Sequence, residues 1–215
     1  MPRRMVILGV TGSIGMGKTW AADVLRRFGV PVHDSDAEVH RLLRDDRATI
    51  AAVESAFPGV ARDGVIDRRE LGRRVFGDEA ALGRLESILH PRVRATASRF
   101  LQRARRERRP VVALDVPLLF ETGGHTRCDA VIVVSAPASV QTARVLRRAG
   151  MTPARLAAIL ARQTPDDAKQ RLADFVVPTG LDRRTSLQAL GRIVTVARHR
   201  RCLGRPGTRR PRRHA

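Results

Sequence analysis

Eight consecutive residues near the start of the chain have the spacing of a phosphate-binding loop. They are Gly12-Ser13-Ile14-Gly15-Met16-Gly17-Lys18-Thr19, which fit the pattern G-x-x-x-x-G-K-[ST]. Glycines let such a loop wrap closely round a phosphate with backbone N–H groups pointing inward, and the following helix adds positive potential at its N-terminus. The lysine of this pattern reaches the β- and γ-phosphates of a nucleotide, and the last hydroxyl can ligate Mg²⁺. The alternative is a glycine-rich turn that only connects a strand to a helix.

Lys18 is distinguished from the other cations of the chain by its residue type. The 41 basic residues include only two lysines, Lys18 and Lys169. A lysine places a compact ammonium charge on a flexible stem beside a phosphate, and the planar guanidinium of arginine is a poor substitute for it. Trp20 directly follows the loop, at a position where such loops commonly have a small residue. Its contact with a phosphate would be through the backbone N–H, which every residue except proline supplies. The candidate contacts to nucleotide phosphates are Gly12, Gly15, Met16, Gly17, Lys18, Thr19 and Trp20.

Acidic residues follow two further predicted strands, at the points where those strands end. Asp34 and Asp36 follow the second strand, and Asp115 closes the third. In an open parallel sheet, ligands bind outside the carboxyl ends of the strands, so we expect all three acids to face the phosphates. A carboxylate there can accept a proton from a substrate hydroxyl or hold Mg²⁺, for which Thr19 and Asp115 are the candidate ligands. The alternatives are a helix N-cap for Asp34 or Asp36 and a turn residue for Asp115.

An alternation of strands and helices positions these residues. A strand over Val6–Val10, a helix over Lys18–Phe28 and a strand over Val30–His33 form a βαβ unit, whose strands are parallel. Pro31 predicts that the second strand lies at an edge of the sheet. Further strands are predicted over 111–115, 130–134 and 175–177. The alternation predicts an α/β fold, a doubly wound parallel sheet with helices on both faces.

The stretch between the second and third strands has a helical pattern, from Ala37 to about Arg109. Asp67 and Glu70 have the spacing of a capping box, and Asp78 can cap the next helix. We expect His90-Pro91 to interrupt the helical pattern. His90 is then either a helix-end residue that caps carbonyls or a ligand contact.

Helix signals recur later in the chain. Thr152-Pro153 and Thr164-Pro165 each fit a cap followed by proline at the first helical position. Beyond Arg198 the chain consists largely of Arg, Pro and Gly without an apolar stripe, which predicts a disordered tail over 198–215. The last helix should bury an apolar stripe of Leu187, Leu190, Ile193 and Ala197.

The composition limits the classes of function. The net charge is +20, but the arginines are spread over every segment, and the chain has no Tyr, one Trp and six Phe. Because a surface for single-stranded nucleic acid needs aromatic residues among its basic ones, nucleic-acid binding is not expected as the main role. No apolar run approaches the roughly 18 residues of a membrane span. Two cysteines, Cys128 and Cys202, predict neither a disulfide scaffold nor a metal site and favour a cytoplasmic protein.

The order of motifs from Val6 to Gly180 resembles the dephospho-coenzyme A kinase family. The loop alone would not separate this family from other small kinases. An H-P-x-V element at His90 and a D-V-P-L-L-F-E element over Asp115–Glu121 together do so. The other matching elements are Phe28–Asp36, Asp63–Arg68, Leu71-Gly72, Val75-Phe76, Leu85–Val93, Gln141, Arg144, Arg148, Gln163 and Ala173–Val177.

The resemblance implies a specific reaction and a division of the chain. Enzymes of this family transfer the γ-phosphate of ATP to the ribose 3′-hydroxyl of dephospho-CoA, the last step of CoA synthesis. Asp36 would be the base toward that hydroxyl, and Lys18, Arg144 and Arg148 would stabilise the transferring phosphate, with ATP and Mg²⁺ as cofactors. The implied division is a P-loop nucleoside-triphosphate-hydrolase-like core over 1–38, 110–137 and 172–197, a helical CoA-binding insertion over 39–109 and a lid over 138–171.

Two rival functions stay open at this point. Another small-molecule kinase, acting on a nucleotide or nucleoside, would explain the loop but not the helical insertion with His90-Pro91. A phosphate-loop ATPase with a nucleic-acid partner would explain the charge. Val177-Pro178-Thr179-Gly180 replaces an Asn-containing turn common in the family, which leaves the adenine-side contacts open. The expected partner is dephospho-CoA, with no membrane and no obligatory nucleic acid, and the chain is expected to be a monomer or weak oligomer.

Overall fold

The computed structural model describes residues 4–180 and 182–199, which split into two compact units. One unit is Asp34–Arg103, and the other combines the segments on either side of it. Within the described ranges, no helix is both long enough and apolar enough to cross a membrane. The strands are β1 (Val6–Thr11), β2 (Val32–Asp34), β3 (Ala61–Arg62), β4 (Val65–Ile66), β5 (Val111–Asp115), β6 (Ala130–Ser135) and β7 (Phe175–Pro178). The helices are α1 (Lys18–Arg27), α2 (Ser35–Asp45), α3 (Arg47–Ala56), α4 (Arg68–Val75), α5 (Glu79–Arg106), α6 (Ala138–Leu146), α7 (Pro153–Ala161), α8 (Asp166–Leu172) and α9 (Arg183–His199), with a short 3₁₀ helix at Gly124–Arg127.

A five-stranded sheet in the order β2-β5-β1-β6-β7 carries the phosphate loop. The pairs β1 with β5, β1 with β6, and β6 with β7 are parallel, which confirms the predicted sheet. Every residue of β1, β5 and β6 is buried, as expected for strands covered on both faces. β2 is an edge strand, which agrees with the position of Pro31.

Helix α9 packs on the sheet through most of the predicted stripe, but Leu187 is an exception. Leu190, Ile193 and Ala197 are buried in the main core cluster, whereas Leu187 is 42% exposed. Ser186 takes the buried position at this end of the helix, because its hydroxyl donates a hydrogen bond to the carbonyl of Pro178 at the end of β7. The prediction of a buried Leu187 was therefore wrong.

The unit Asp34–Arg103 has its own apolar core and is not entirely helical. Strands β3 and β4 form an antiparallel hairpin, with Ala61 opposite Ile66. Its turn has positive φ at Asp63 (50°) and Gly64 (77°), the conformation that favours Asp-Gly in two-residue hairpins. Strands of two residues are too short to show an alternating pattern, so the sequence predicted only helix here. The core consists of Leu43, Val53, Phe57, Val60, Ile66, Leu71, Ala81, Leu85 and Leu89.

Carboxylates begin α4 and α5, as the sequence predicted. Asp67 accepts the N–H of Glu70, and Asp78 accepts that of Ala81 at 2.8 Å. The return bond of the predicted capping box is absent, because the N–H of Asp67 donates to the carbonyl of Val60 and the Glu70 side chain forms ion pairs with Arg73 and Arg74. Each accepted N–H is one that the helix cannot satisfy internally, so these caps stabilise the starts of the helices.

Helix α5 continues through Pro91, so the predicted interruption at His90-Pro91 was wrong. Proline lacks the N–H of a regular helix and crowds the preceding turn. The N–H that Pro91 lacks would have bonded the carbonyl of Ser87, and the guanidinium of Arg92 donates to the next carbonyl, that of Ile88, at 2.7 Å. Because the helix runs on to Arg106, His90 lies well inside it and cannot cap carbonyls at a helix end.

The predicted cap at Thr152 is confirmed, and the one at Thr164 is wrong. Thr152 accepts the N–H of Arg155 at the start of α7. Helix α8 begins at Asp166 with Pro165 as its N-cap, because the first helical bond runs from the N–H of Lys169 to the carbonyl of Pro165 at 3.0 Å. Thr164 therefore lies before the cap, and its N–H donates to Glu121 at 2.8 Å. The predicted tail over 198–215 begins too early, because α9 includes Arg198 and His199, and its remaining residues lie outside the described part.

Candidate active site

The phosphate loop connects β1 to α1, and its glycines are required by close contacts. Gly15 and Gly17 have left-handed backbone, with φ of 78° and 89°. A Cβ on Gly15 would lie 2.6 Å from Cγ2 of Val145, and one on Gly12 would lie 2.6 Å from the carbonyl oxygen of Val134. Any larger residue at Gly12 or Gly15 would therefore displace the loop from the sheet or from α6.

Lys18 and Asp115 form an ion pair between the start of α1 and the carboxyl end of β5. Lys18 is the first residue of α1, and its Nζ lies 2.7 Å from Oδ1 of Asp115. Asp115 is the last residue of β5 and its side chain is 1% exposed, so it belongs to the strand and not to a turn. A charge-assisted hydrogen bond of this length holds the ammonium next to the loop.

Thr19 and Trp20 complete the first turn of α1. Thr19 is exposed, and Trp20 is half-buried against the main core cluster. Among the described residues, no cluster of three or more His, Cys, Asp or Glu could hold a metal ion. Mg²⁺ usually takes one or two protein oxygens and completes its shell with phosphates and water, so the hydroxyl of Thr19 and the carboxylate of Asp115 fit that ion and not a metal caged by protein.

Asp34 and Asp36 differ in their local roles. Asp34 is the N-cap of α2, and its Oδ1 accepts the N–H of Ala37 at 3.0 Å. The cap interpretation is therefore correct for Asp34. Asp36 lies in the first turn of the same helix and is exposed, so its carboxylate is accessible.

Arg144 of α6 contacts the phosphate loop itself. Its guanidinium lies 3.4 Å from the carbonyl oxygen of Gly15 and donates to the carbonyl of Thr179 at 2.6 Å. The hydroxyl of Thr179 in turn donates to the carbonyl of Met16 at 2.5 Å. Arg148 lies two residues beyond α6, and its side chain is exposed. Thr179, which the sequence marked only as a departure from a family turn, therefore holds the loop.

Two glutamines hold the peptide groups of Ile14. The side-chain amide of Gln141 donates to its carbonyl at 2.8 Å, and Oε1 of Gln163 accepts its N–H at 3.1 Å. Both glutamines lie in the segment predicted to be a lid. Both match positions of the family that the chain resembles, but the sequence assigned them no role. Their partner is more than 120 positions away in the chain, so no local pattern relates them to it.

The second lysine of the chain also lies beside the loop. Lys169 of α8 is completely buried, with Nζ 3.1 Å from Oε1 of Glu121 and 3.4 Å from the hydroxyl of Ser13. Burial alone would raise the pKa of the Glu121 carboxyl, but hydrogen bonds from the backbone N–H groups of Glu121 and Thr164, together with the Lys169 ammonium, hold that pKa below its ordinary value. The carboxylate is thus kept charged opposite Lys169.

Comparison with known proteins gives consistent matches. A family model described as dephospho-CoA kinase matches residues 6–181. The dephospho-CoA kinase of Rhodospirillum rubrum is 57% identical over 212 residues, covering 98% of this chain and 100% of the relative. That of Paramagnetospirillum magneticum is 62% identical over 166 residues, covering 77% of this chain and 78% of the relative. The crystal structure of TT1252 from Thermus thermophilus superposes with a TM-score of 0.77 at 32% identity, covering 90% of this chain and 97% of that one.

Proposed function

This chain belongs to the dephospho-CoA kinase family, and we propose that it transfers the γ-phosphate of ATP to the ribose 3′-hydroxyl of dephospho-CoA, which gives coenzyme A and ADP. The observation that carries the proposal is the family match over residues 6–181, which includes the whole phosphate loop. The loop is built as the reaction needs it, with tightly packed glycines and a lysine already held at its side. The small number of cysteines favours the cytoplasm as its location.

The phosphate loop and Lys18 bind and stabilise the phosphates of ATP. The backbone N–H groups of Gly15 and of Gly17 to Trp20, with the N-terminus of α1, offer positive potential to the phosphate oxygens, whereas the N–H of Met16 donates to the carbonyl of Ser13. The transferring phosphoryl group carries charge spread over its oxygens, so most of the catalysis is positioning and electrostatic stabilisation. Asp115 supports this role because it fixes the ammonium of Lys18 from a buried position.

Thr19 and Asp115 are the residues that would hold Mg²⁺. When bound, this ion neutralises charge on the β- and γ-phosphates. The hydroxyl of Thr19 is accessible on α1, and Asp115 is a buried carboxylate beside Lys18. The two residues supply oxygen ligands from adjacent elements of the same unit.

Asp36 is the proposed base for the acceptor hydroxyl. Its carboxylate is exposed, whereas that of Asp34 is engaged as the cap of α2. A base must be able to approach the hydroxyl whose proton it accepts, so the accessible member of the pair suits the role better. The match to the family's D-x-D element supports the same assignment.

The acceptor is tested by offering several hydroxyl compounds to the purified chain. ADP release is followed with dephospho-CoA, adenosine, AMP or RNA, each with Mg²⁺ and again with excess EDTA. We expect release only with dephospho-CoA, phosphorylation of the 3′-hydroxyl in the NMR spectrum of the product, and no reaction in EDTA. A faster reaction with adenosine or AMP would make the chain a nucleoside or nucleotide kinase, and stimulation by RNA would make it a nucleic-acid-associated ATPase.

Arg144 and Arg148 are proposed to act on the transferring phosphate. Because their contacts differ, we expect their methionine variants to differ in kcat, in KM for ATP and in Tm. We expect Arg148→Met to lower kcat by about tenfold or more, because a positive charge near the phosphoryl group is lost. Its Tm should stay within about 2 °C of the wild type, since exposed side chains contribute little to stability. Arg144→Met should lower Tm as well and raise KM for ATP, because it removes the contacts to Gly15 and Thr179.

Arg147 provides the matched control for the arginine variants. It is exposed and adjacent to Arg148, and it has no proposed role. Kinetics with ATP and dephospho-CoA and thermal unfolding are measured for all three variants. If Arg148→Met kept the activity of Arg147→Met, Arg148 would belong to the solvated surface and not to the active site.

A further inference from the structure

Lys169 is a completely buried cation that the proposed reaction does not use. Among the described residues, it is the largest side chain with less than 2% exposure. A buried ammonium requires a charged or polar partner, because removal from water costs several kcal/mol for each ion. Glu121 supplies that partner at 3.1 Å, with a side chain that is 17% exposed.

The pair connects the phosphate loop to the helices that follow β6. Lys169 reaches the hydroxyl of Ser13 in the loop, and Glu121 accepts the N–H of Thr164 between α7 and α8. The neighbouring Gln163 accepts the N–H of Ile14. Lys169 and Gln163 therefore contact two consecutive residues of the loop, and Glu121 joins Lys169 to the turn before α8.

We propose that Lys169 is a positioning residue for ATP binding, which acts through Ser13 and Glu121 to hold the phosphate loop in its binding conformation. Buried ion pairs are weak contributors to stability, since the desolvation of both charges offsets most of their attraction. Because this pair lies beside the loop, we infer that it orders the loop and adds little to the stability of the fold. This proposal rests on the proposed use of ATP by the loop.

The test separates the positioning of the loop from the stability of the protein. Lys169→Met keeps an unbranched side chain and removes the charge, but leaves Glu121 unpaired. Lys169→Met/Glu121→Gln removes both charges, and the glutamine oxygen can still accept the N–H of Thr164. ATP affinity is read from the fluorescence of Trp20, the single tryptophan, which directly follows the loop. Thermal unfolding and steady-state kinetics are measured on the same full-length variants.

We expect Lys169→Met to weaken ATP binding about tenfold, which corresponds to about 1.4 kcal/mol, and to lower Tm. KM for dephospho-CoA should be unchanged. The double variant should recover most of the lost Tm but not the ATP affinity, because the contact of the ammonium with Ser13 is still missing. Wild-type ATP affinity in Lys169→Met, or recovery of the affinity together with Tm in the double variant, would overturn the proposal.

Ser13→Ala provides a test that does not depend on a buried charge. It removes only the hydroxyl that Lys169 contacts, so the protein should fold even if Lys169→Met does not. We expect Ser13→Ala to weaken ATP binding in the wild-type protein. Added to Lys169→Met/Glu121→Gln, it should cause no further loss of ATP affinity. Unchanged ATP affinity in Ser13→Ala would mean that Lys169 does not act through Ser13, and the proposal would fail.

The fluorescence measurement also keeps this proposal distinct from the proposed function. Trp20 reports ATP binding without an acceptor. A chain that phosphorylated a different acceptor would therefore fail the test of the proposed function and still give the expected ATP affinities here.

Discussion

Lys18→Met is expected to lower kcat for the transfer to dephospho-CoA by about 100- to 1000-fold, the range typical for loss of one group that stabilises transition-state charge. The ammonium is held 2.7 Å from Asp115, beside a loop whose glycines cannot be enlarged without displacing it. No other lysine is available to replace it, because Lys169 is buried against Glu121. Single-turnover phosphorylation measured with saturating ATP separates this loss from weaker nucleotide binding.

Lys18→Arg is the control for folding. Arginine keeps a positive charge opposite the buried carboxylate of Asp115, so this variant should keep most of the stability that Lys18→Met loses. We still expect a defect in turnover, because a planar guanidinium does not replace a compact ammonium at a phosphate. Turnover of Lys18→Met within about tenfold of the wild type, roughly 1.4 kcal/mol in activation free energy, would remove Lys18 from the mechanism.

The features that the sequence predicted correctly depend on near neighbours. The loop is identified by eight consecutive residues, and Asp78 caps α5 through an N–H three residues away. Strands such as β6 are continuous apolar runs because both faces of the sheet are covered. Such signals lie within one short window of the chain, so they can be recognised without knowledge of the tertiary structure.

The features that the sequence did not predict depend on distant partners. Lys169 and Ser13 are 156 positions apart, and Thr179 and Met16 are 163 positions apart. The continuation of α5 through Pro91 was not predicted because the interruption was inferred from the proline alone, whereas Leu85, Leu89 and Ala97 on both sides of it are buried. The one available signal for Lys169 was its residue type, since the chain uses lysine at only two positions and both lie beside the phosphate loop.

Arg144 illustrates how one residue type can fit two roles. The family resemblance implies that Arg144 contacts phosphate, because cations stabilise the transferring group, whereas by residue type alone it would be an ordinary arginine on a helix surface. Its guanidinium in fact contacts two backbone carbonyls, of Gly15 and Thr179. The phosphate role of Arg144 stays a prediction, whereas the geometry shows a contact that holds the loop, and the comparison of Arg144→Met with Arg148→Met separates the two roles.

Asp36→Asn is expected to lower kcat by about 100-fold or more, the usual contribution of a positioned general base. The substitution keeps the size of the side chain and removes its ability to accept the proton. The affinity for ATP should stay the same, because the loop and Lys18, which are the proposed phosphate contacts, lie in the other compact unit of the chain. Single-turnover transfer and the fluorescence of Trp20 measure these two quantities separately.

Asp34→Asn is the matched control for Asp36→Asn. Asparagine caps helices about as well as aspartate, so the start of α2 should be preserved, with its bond to the N–H of Ala37. We therefore expect a smaller loss of turnover than in Asp36→Asn and a nearly unchanged Tm. A larger loss in Asp34→Asn would assign the base to Asp34 and make the capping bond secondary. Full activity in both variants would mean that the acceptor hydroxyl needs neither carboxylate, and that positioning and charge stabilisation by the phosphate loop suffice for the transfer.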